Sequence, residues 1–206
     1  KYIFYIPFEL GYNDLKVGNI GSVVKVFRHL GVDFHLIEDP KDLEGATKIV
    51  LPGVGSFDEA SKVLFKSGFQ TAIRRQVLEN QIPILGICVG MQLLATFGYE
   101  GSKSSGLDLI AAEVRKIVTG DRSLPVPHVG WNDISIDNHL PLFNKIDKNS
   151  CFYFVHSYEM KVDSIEEKNV DIAWVEYGTD IVAYVQKNHI HGAQFHPEKS
   201  QGVGLQ

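Results

Sequence analysis

Two short runs, "KIVLPG" (48–53) and "IPILGI" (82–87), limit what this chain can fold into more than any other feature. Their apolar residues follow one another without the alternation of a half-exposed strand, so each strand has to be buried on both faces. "FDEASKVLFKSGFQTAIRRQVLENQ" (57–81) lies between them and reads as helical material. Upstream, "YIFYI" (2–6) and "VDFHLIE" (32–38) read as strands around an amphipathic helix in "GSVVKVFRHLG" (21–31). That helix carries Val23, Val24, Phe27 and Leu30 on one stripe, with Gly31 as its stop. Strand and helix alternating in this way predict an α/β fold: a central, mostly parallel sheet with right-handed crossovers and helices on both faces.

The second half changes character. "EVRKIV", "GWNDISI", "CFYFVHSY", "DIAWVEY", "IVAYVQKN" and "IHGAQFH" alternate apolar and polar residues, with little helix between them. They predict antiparallel or mixed additions to the central sheet. At 206 residues and 44% hydrophobic, the chain is expected to fill one core as a single domain over 1–206.

Composition removes several functions. A net charge of -5 offers no electrostatic footprint for nucleic acid or an anionic membrane. The apolar runs are far short of the roughly 20 residues of a spanning helix. "KYIFYIPFEL" is apolar but contains Glu9 and no small-residue cleavage site, and reads as a strand rather than a signal peptide. Two cysteines are too few for a disulfide framework, and a reducing cytoplasm is the expected setting. A thiol is therefore free to react.

Gly86-Ile87-Cys88-Val89-Gly90 has the form of a nucleophile elbow at a strand-to-helix turn. The turn strains the backbone of the nucleophile, and the glycines let strand and helix close together. The helix field favours thiolate, and the N–H of Val89 points toward a developing oxyanion. A core cysteine beside packing glycines is the plain alternative. A thiolate needs a base, and the base an orienting partner. Of eight histidines, His196 ends a strand and is followed by Pro197 and Glu198, a compact base and orienter. Taken alone, that pair also fits a surface loop. Gly53 and Gly55 in "LPGVGSF" leave backbone N–H groups open to the same crevice, at the carboxyl end of a parallel strand. His189 and His191 alternate onto one strand face, but a zinc site needs more protein ligands than that, so neither a metal nor another cofactor is expected.

"PGVGSF", "GICVGMQLL", "PHVGWN", "YFVHSY" and "GAQFHPEKS" follow one another in this order, and the set resembles class I glutamine amidotransferases. "PHVGWN" and "FVHSY" are most similar to the HisH branch, the glutaminase subunits of imidazole glycerol phosphate synthase. The resemblance implies a flavodoxin-like fold and hydrolysis of L-glutamine to glutamate and ammonia. It implies a Cys88–His196–Glu198 triad, with Gly53 or Val54 and Val89 as oxyanion donors. It further implies that Gln92, Glu100, Ser157 and Tyr158 bind the substrate. The implied partner is a HisF-like (β/α)8 synthase subunit in a heterodimer, which takes the ammonia for histidine biosynthesis. Tyr153, Lys199 and Asn19 match positions at that junction. Without the resemblance, Gln92 reads as an exposed helix residue and Ser157 and Tyr158 as ordinary strand residues.

Two stretches depart from the pattern. "IPFELGYNDLKVGN" is longer than the family's turn, so the partner-facing segment 7–17 is expected to differ. A further helix is expected where the chain stops at "GVGLQ". Three other readings stay open at this point. Sugar amination for surface polysaccharides uses the same motifs, a cysteine peptidase uses the same nucleophile and base, and a subunit that only binds a partner needs neither. Gln92, Glu100 and "VHSY" suit a free amino acid better than a peptide.

Overall fold

The computed structural model describes residues 3–5, 19–120, 124–136, 140–147, 150–163 and 169–206. The atypical segment 7–17 lies outside them, as does the side chain of Asn19. The first half follows the expected alternation: β1 (Ile3–Tyr5), α1 (Asn19–His29), β2 (Phe34–Leu36), β3 (Lys48–Gly53), α2 (Phe57–Lys66), α3 (Phe69–Arg74) and β4 (Ile84–Cys88). Strands β2, β1, β3 and β4 lie side by side and are all parallel. β3 is buried from Ile49 to Gly53, as its unbroken apolar run requires.

The helical material after β3 divides in two. Ser56 caps α2, its hydroxyl accepting from the N–H of Glu59 at 3.3 Å, while Gly68 at φ +82° separates α2 from α3. A π-helical turn, Arg75–Glu79, continues α3. Leu30 departs from its expected place on the buried stripe and is 47% exposed. α1 ends one residue earlier, and Leu30 falls in the turn that leads to Gly31 at φ +63°.

The second half contains α4 (Val89–Gln92), β5 (Ala95–Gly98), β6 (Ser104–Ser105), β7 (Ile110–Lys116), β8 (His128–Asp133), β9 (Cys151–His156), β10 (Tyr158–Val162), β11 (Asp171–Glu176), β12 (Asp180–Lys187) and β13 (Ile190–Ala193). β13 joins the central sheet parallel to β4, and β12 and β11 extend it antiparallel, which gives the order β11-β12-β13-β4-β3-β1-β2. The remaining strands are not additions to that sheet. β10-β7-β5-β6 form a sheet of their own, and β8 pairs with β9 in a two-stranded ribbon. "CFYFVHSY" is two strands that part at Ser157, and β5 follows closely on the single turn of α4.

Apolar side chains pack in two clusters. One gathers Leu51, Ile84, Met91 and Leu94; the other gathers Phe152, Phe154, Tyr184 and Phe195. The ribbon shows why alternation matters. Phe152, Phe154 and His156 point inward, while Val155, Val129 and Trp131 point outward. Among the described residues, no helix is long and apolar enough to cross a membrane.

Candidate active site

Cys88 ends β4 with φ +55° and ψ -113°, a strained conformation for a residue with a side chain. Close packing holds it there. A Cβ on Gly86 would come within 2.5 Å of the carbonyl oxygen of Gly90, and one on Gly90 would run into the carbonyl oxygen of Leu51. The second glycine is thus required by β3, beside the elbow, as much as by the strand that leads into it. α4 is a single turn, because the chain passes through Leu93 and Leu94 into β5.

His196 follows β13, which is hydrogen-bonded to β4, so adjacent parallel strands deliver thiol and imidazole to one place. Its Nδ1 donates to Glu198 Oε1 at 2.8 Å, which leaves Nε2 for the hydrogen bond to Cys88. Both side chains of the pair are almost wholly buried, with exposures of 1% and 2%. Burial works against a charged imidazole, but the hydrogen bonds and charges of Cys88 and Glu198 outweigh it and raise the His196 pKa to about 9. At neutral pH this imidazole carries its second proton.

Cys88 and His196 line a cavity of about 360 Å³ together with Val54, Gly55, Val89, Gln92, Glu100, Ser157 and Tyr158. Gly53 does not reach it. It lies beneath the elbow, where an added Cβ would sit 2.7 Å from the nitrogen of Gly90. Its neighbours Val54 and Gly55 are the residues of that loop at the cavity wall. Gln92 is buried rather than exposed, and its Nε2 donates to the carbonyl of Tyr158 and to Gln194 Oε1, both at 3.0 Å. Glu100 accepts from the N–H of Phe57, the first residue of α2, at 2.7 Å. Burial raises its carboxyl pKa, the Phe57 N–H opposes this, and Glu59 and Asp58 add to the rise.

Lys199 also lines the cavity, its ammonium 5.8 Å from the ring centroid of Tyr153, which does not reach the cavity. The backbone binds this region to the base: His196 N–H donates to the Tyr153 carbonyl at 2.9 Å, and Tyr153 N–H donates to Ser200 Oγ at 3.0 Å. Asn19 opens α1. His189 and His191 are engaged elsewhere, with the Val77 carbonyl at 2.8 Å and the Tyr184 hydroxyl at 2.7 Å.

Sequence reasoning passed over three groups here. Gln194 lies between Gln92 and Cys88. Ser200 ties the ribbon to the His196 loop, its hydroxyl donating to the His196 carbonyl at 2.6 Å. His156 Nδ1 donates to the Tyr158 carbonyl at 2.9 Å, so its Nε2 is an acceptor and takes the proton of His128 Nδ1 at 3.0 Å. Alternation along β8 and β9 placed both histidines inward, and that was the available signal. Burial lowers His128 to about 4 and His156 to about 3.

These values make stability depend on pH in opposite directions. The two buried histidines titrate below their unfolded value of about 6.5, so the unfolded chain gains protons first and stability falls as pH drops through that window. His196 is raised, so its contribution is complete below about 6.5 and is lost as pH rises through about 9. Thermal melts should show a maximum near neutrality, with a loss on the order of a few kcal/mol by pH 4.5. A flat melting temperature from pH 6.5 to 4.5 would contradict the neutral histidine pair.

The class I glutamine amidotransferase family model matches residues 13–205. HisH 1 of Campylobacter jejuni strain RM1221, an imidazole glycerol phosphate synthase subunit, is 48% identical over 93% of this chain and 93% of its own. The HisH subunit of Leptospira borgpetersenii is 39% identical over 95% of each. Among solved structures, a glutamine amidotransferase superposes with a TM-score of 0.71 at 17% identity, covering 98% of this chain and 94% of the other. The glutaminase domain of Trypanosoma brucei CTPS with bound acivicin gives 0.65 at 18%, covering 99% and 90%. These two share the fold. Elbow, cavity and near full-length relatives agree: the chain belongs to the class I glutamine amidotransferase family.

Proposed function

We propose that this chain is the glutaminase subunit of an imidazole glycerol phosphate synthase, hydrolysing L-glutamine and passing ammonia to a HisF-like (β/α)8 subunit for histidine biosynthesis. The observation that carries the chemistry is the meeting of Cys88 and the Glu198-bound His196 on one cavity with the half-buried carboxylate of Glu100. The HisH relatives carry the pathway.

The Cys88 sulfur attacks the side-chain carboxamide carbon of glutamine, and the charge that develops on its oxygen faces the N–H groups of Val54 and Val89. His196 gives its Nε2 proton to the departing nitrogen, so ammonia leaves and a glutamyl thioester remains. The same nitrogen then takes a proton from water, whose oxygen attacks the thioester, releasing glutamate and restoring the sulfur. Glu198 holds the ring in register and balances its charge. Glu100 meets the substrate ammonium. Gln92 and the 157–158 backbone hold the rest.

Ammonia released into neutral water is protonated and no longer a nucleophile, which favours direct delivery to an attached synthase. The ribbon surface beside the cavity suits such a partner. Val129, Trp131 and Val155 are 53%, 44% and 36% exposed on its outer face, in register with Tyr153 and next to Lys199. Tyr153, Lys199 and the start of α1 at Asn19 are the contacts we assign to it. Glu198→Gln should keep the thiol and the cavity but lower glutamine turnover by the complex by a factor of about 10² to 10⁴, through a misdirected imidazole. Steady-state glutamate release measures this. Wild-type rates would remove Glu198 from the mechanism.

A further inference from the structure

Gln194 has no part in the reaction as set out above, yet it is fully buried one residue beyond β13, with its own N–H bonded to the Ala183 carbonyl at 2.8 Å. Its Oε1 accepts from Gln92 Nε2 at 3.0 Å, and its Nε2 stands 3.8 Å from the Cys88 sulfur. The orientation of both amides follows from a single atom. The Tyr158 carbonyl can only accept, so the atom of Gln92 facing it, at 3.0 Å, is the NH₂ nitrogen. The second proton of that nitrogen requires an acceptor, so Gln194 turns its oxygen to Gln92 and its NH₂ group to the sulfur.

We infer that Gln194 is the donor that holds the Cys88 sulfur as thiolate, in an orientation set by Gln92 and Tyr158. The sulfur is buried, and an anion there requires hydrogen-bond donors to replace water. His196 is one. A donor to the charged form favours that form, and the Gln194 backbone is tied to β12 through the Ala183 carbonyl, so its amide is already in place before substrate arrives. During attack, negative charge leaves the sulfur for the carboxamide oxygen, and the N–H···S bond weakens as the C–S bond forms. Because Gln194 shares Gln92 with the substrate pocket, it also connects the pocket to the nucleophile.

The inference deepens the glutaminase reading and rests on Cys88 as its nucleophile, so the test reads the thiolate itself. Alkylation of Cys88 by iodoacetamide is followed against pH in the holo-complex, with peptide mass spectrometry separating it from the exposed Cys151. Gln194→Met removes both amide groups at similar volume, and Gln194→Glu keeps the acceptor for Gln92 while removing the donor. Each should raise the midpoint of alkylation by about one unit and lower the rate at pH 7 by about 5- to 10-fold. Glutamine turnover should fall in parallel. A purely structural role would lower the melting temperature and leave the midpoint alone, and a midpoint equal to wild type in either folded variant overturns the inference. Should neither variant fold, the side-chain amide resonances of Gln194 in the wild-type protein decide. A shift that follows the Cys88 titration and vanishes in Cys88→Ser supports the donor, and pH-independent resonances overturn it. A raised midpoint in a complex that shows no glutaminase activity even as wild type would leave the hydrogen bond standing and sink the glutaminase reading instead.

Discussion

Cys88→Ala is expected to lower glutamine-dependent synthesis by the complex by a factor on the order of 10⁴ or more, while synthesis from added ammonium salts continues at the wild-type rate. The asymmetry follows from the position of the thiol. It lines the cavity together with Glu100, Gln92 and Tyr158, and in the proposed mechanism it acts before ammonia exists, so nothing that consumes ammonia depends on it. The substitution also relieves strain at φ +55° only slightly, because alanine retains a Cβ in the same place. The elbow should therefore survive, and the variant should still assemble with its partner. Two parallel assays on one preparation, one supplied with glutamine and one with ammonia, check this. Equal loss in both would mean that Cys88 supports the architecture of the complex, and glutamine-dependent product at wild-type rates would require another nucleophile.

Among the described glycines, Gly90→Ala should be the most damaging added methyl. Its Cβ would be driven into the carbonyl oxygen of Leu51, a backbone atom in the middle of β3 that cannot turn aside as a side chain can. Either β3 and β4 separate or α4 tilts away, and both options open the core around Met91 and Leu94. A loss on the order of 3 kcal/mol or more is expected, and with it the geometry of Cys88. Gly21→Ala is the control: it lies in α1, has nothing within 4 Å, and should gain about 0.5 to 1 kcal/mol from helix propensity. Chemical denaturation of the two variants separates the cases. Equal stability would show that the close approach at the elbow is relieved without strain.

The parallel part of the sheet was legible because β3 and β4 are buried on both faces, and a strand in that setting must be apolar throughout. The elbow was legible for a related reason: Gly86 and Gly90 stand where any Cβ would strike backbone, and such contacts select one residue type at a fixed spacing. The His196–Glu198 pair is local, two residues apart, so its geometry lies within a single turn of chain. Leu30 was misplaced because a stripe on a helical wheel says nothing about where the last turn ends. The separate β10-β7-β5-β6 sheet was not legible either, since alternation specifies a face and not a partner strand.

Gln92, Gln194, His128 and His156 mark the limit of what the linear chain can convey. All four are polar yet buried, and strand alternation gave a signal only for the two histidines. The two amides meet partners far along the chain: Gln194 is 102 residues from Gln92 and 106 from Cys88. A buried polar group is stable only when a hydrogen-bond partner meets it, and that meeting is arranged by strand order and not by neighbours in sequence. By itself, then, the sequence determined the parallel strands, the glycine-bounded cysteine and the paired base, because sterics and burial act on nearby residues. The tertiary structure alone decided which amide faces the sulfur, which loop residue reaches the cavity and which histidines stay neutral, because those depend on groups that only the folded sheet brings within a few ångströms of one another.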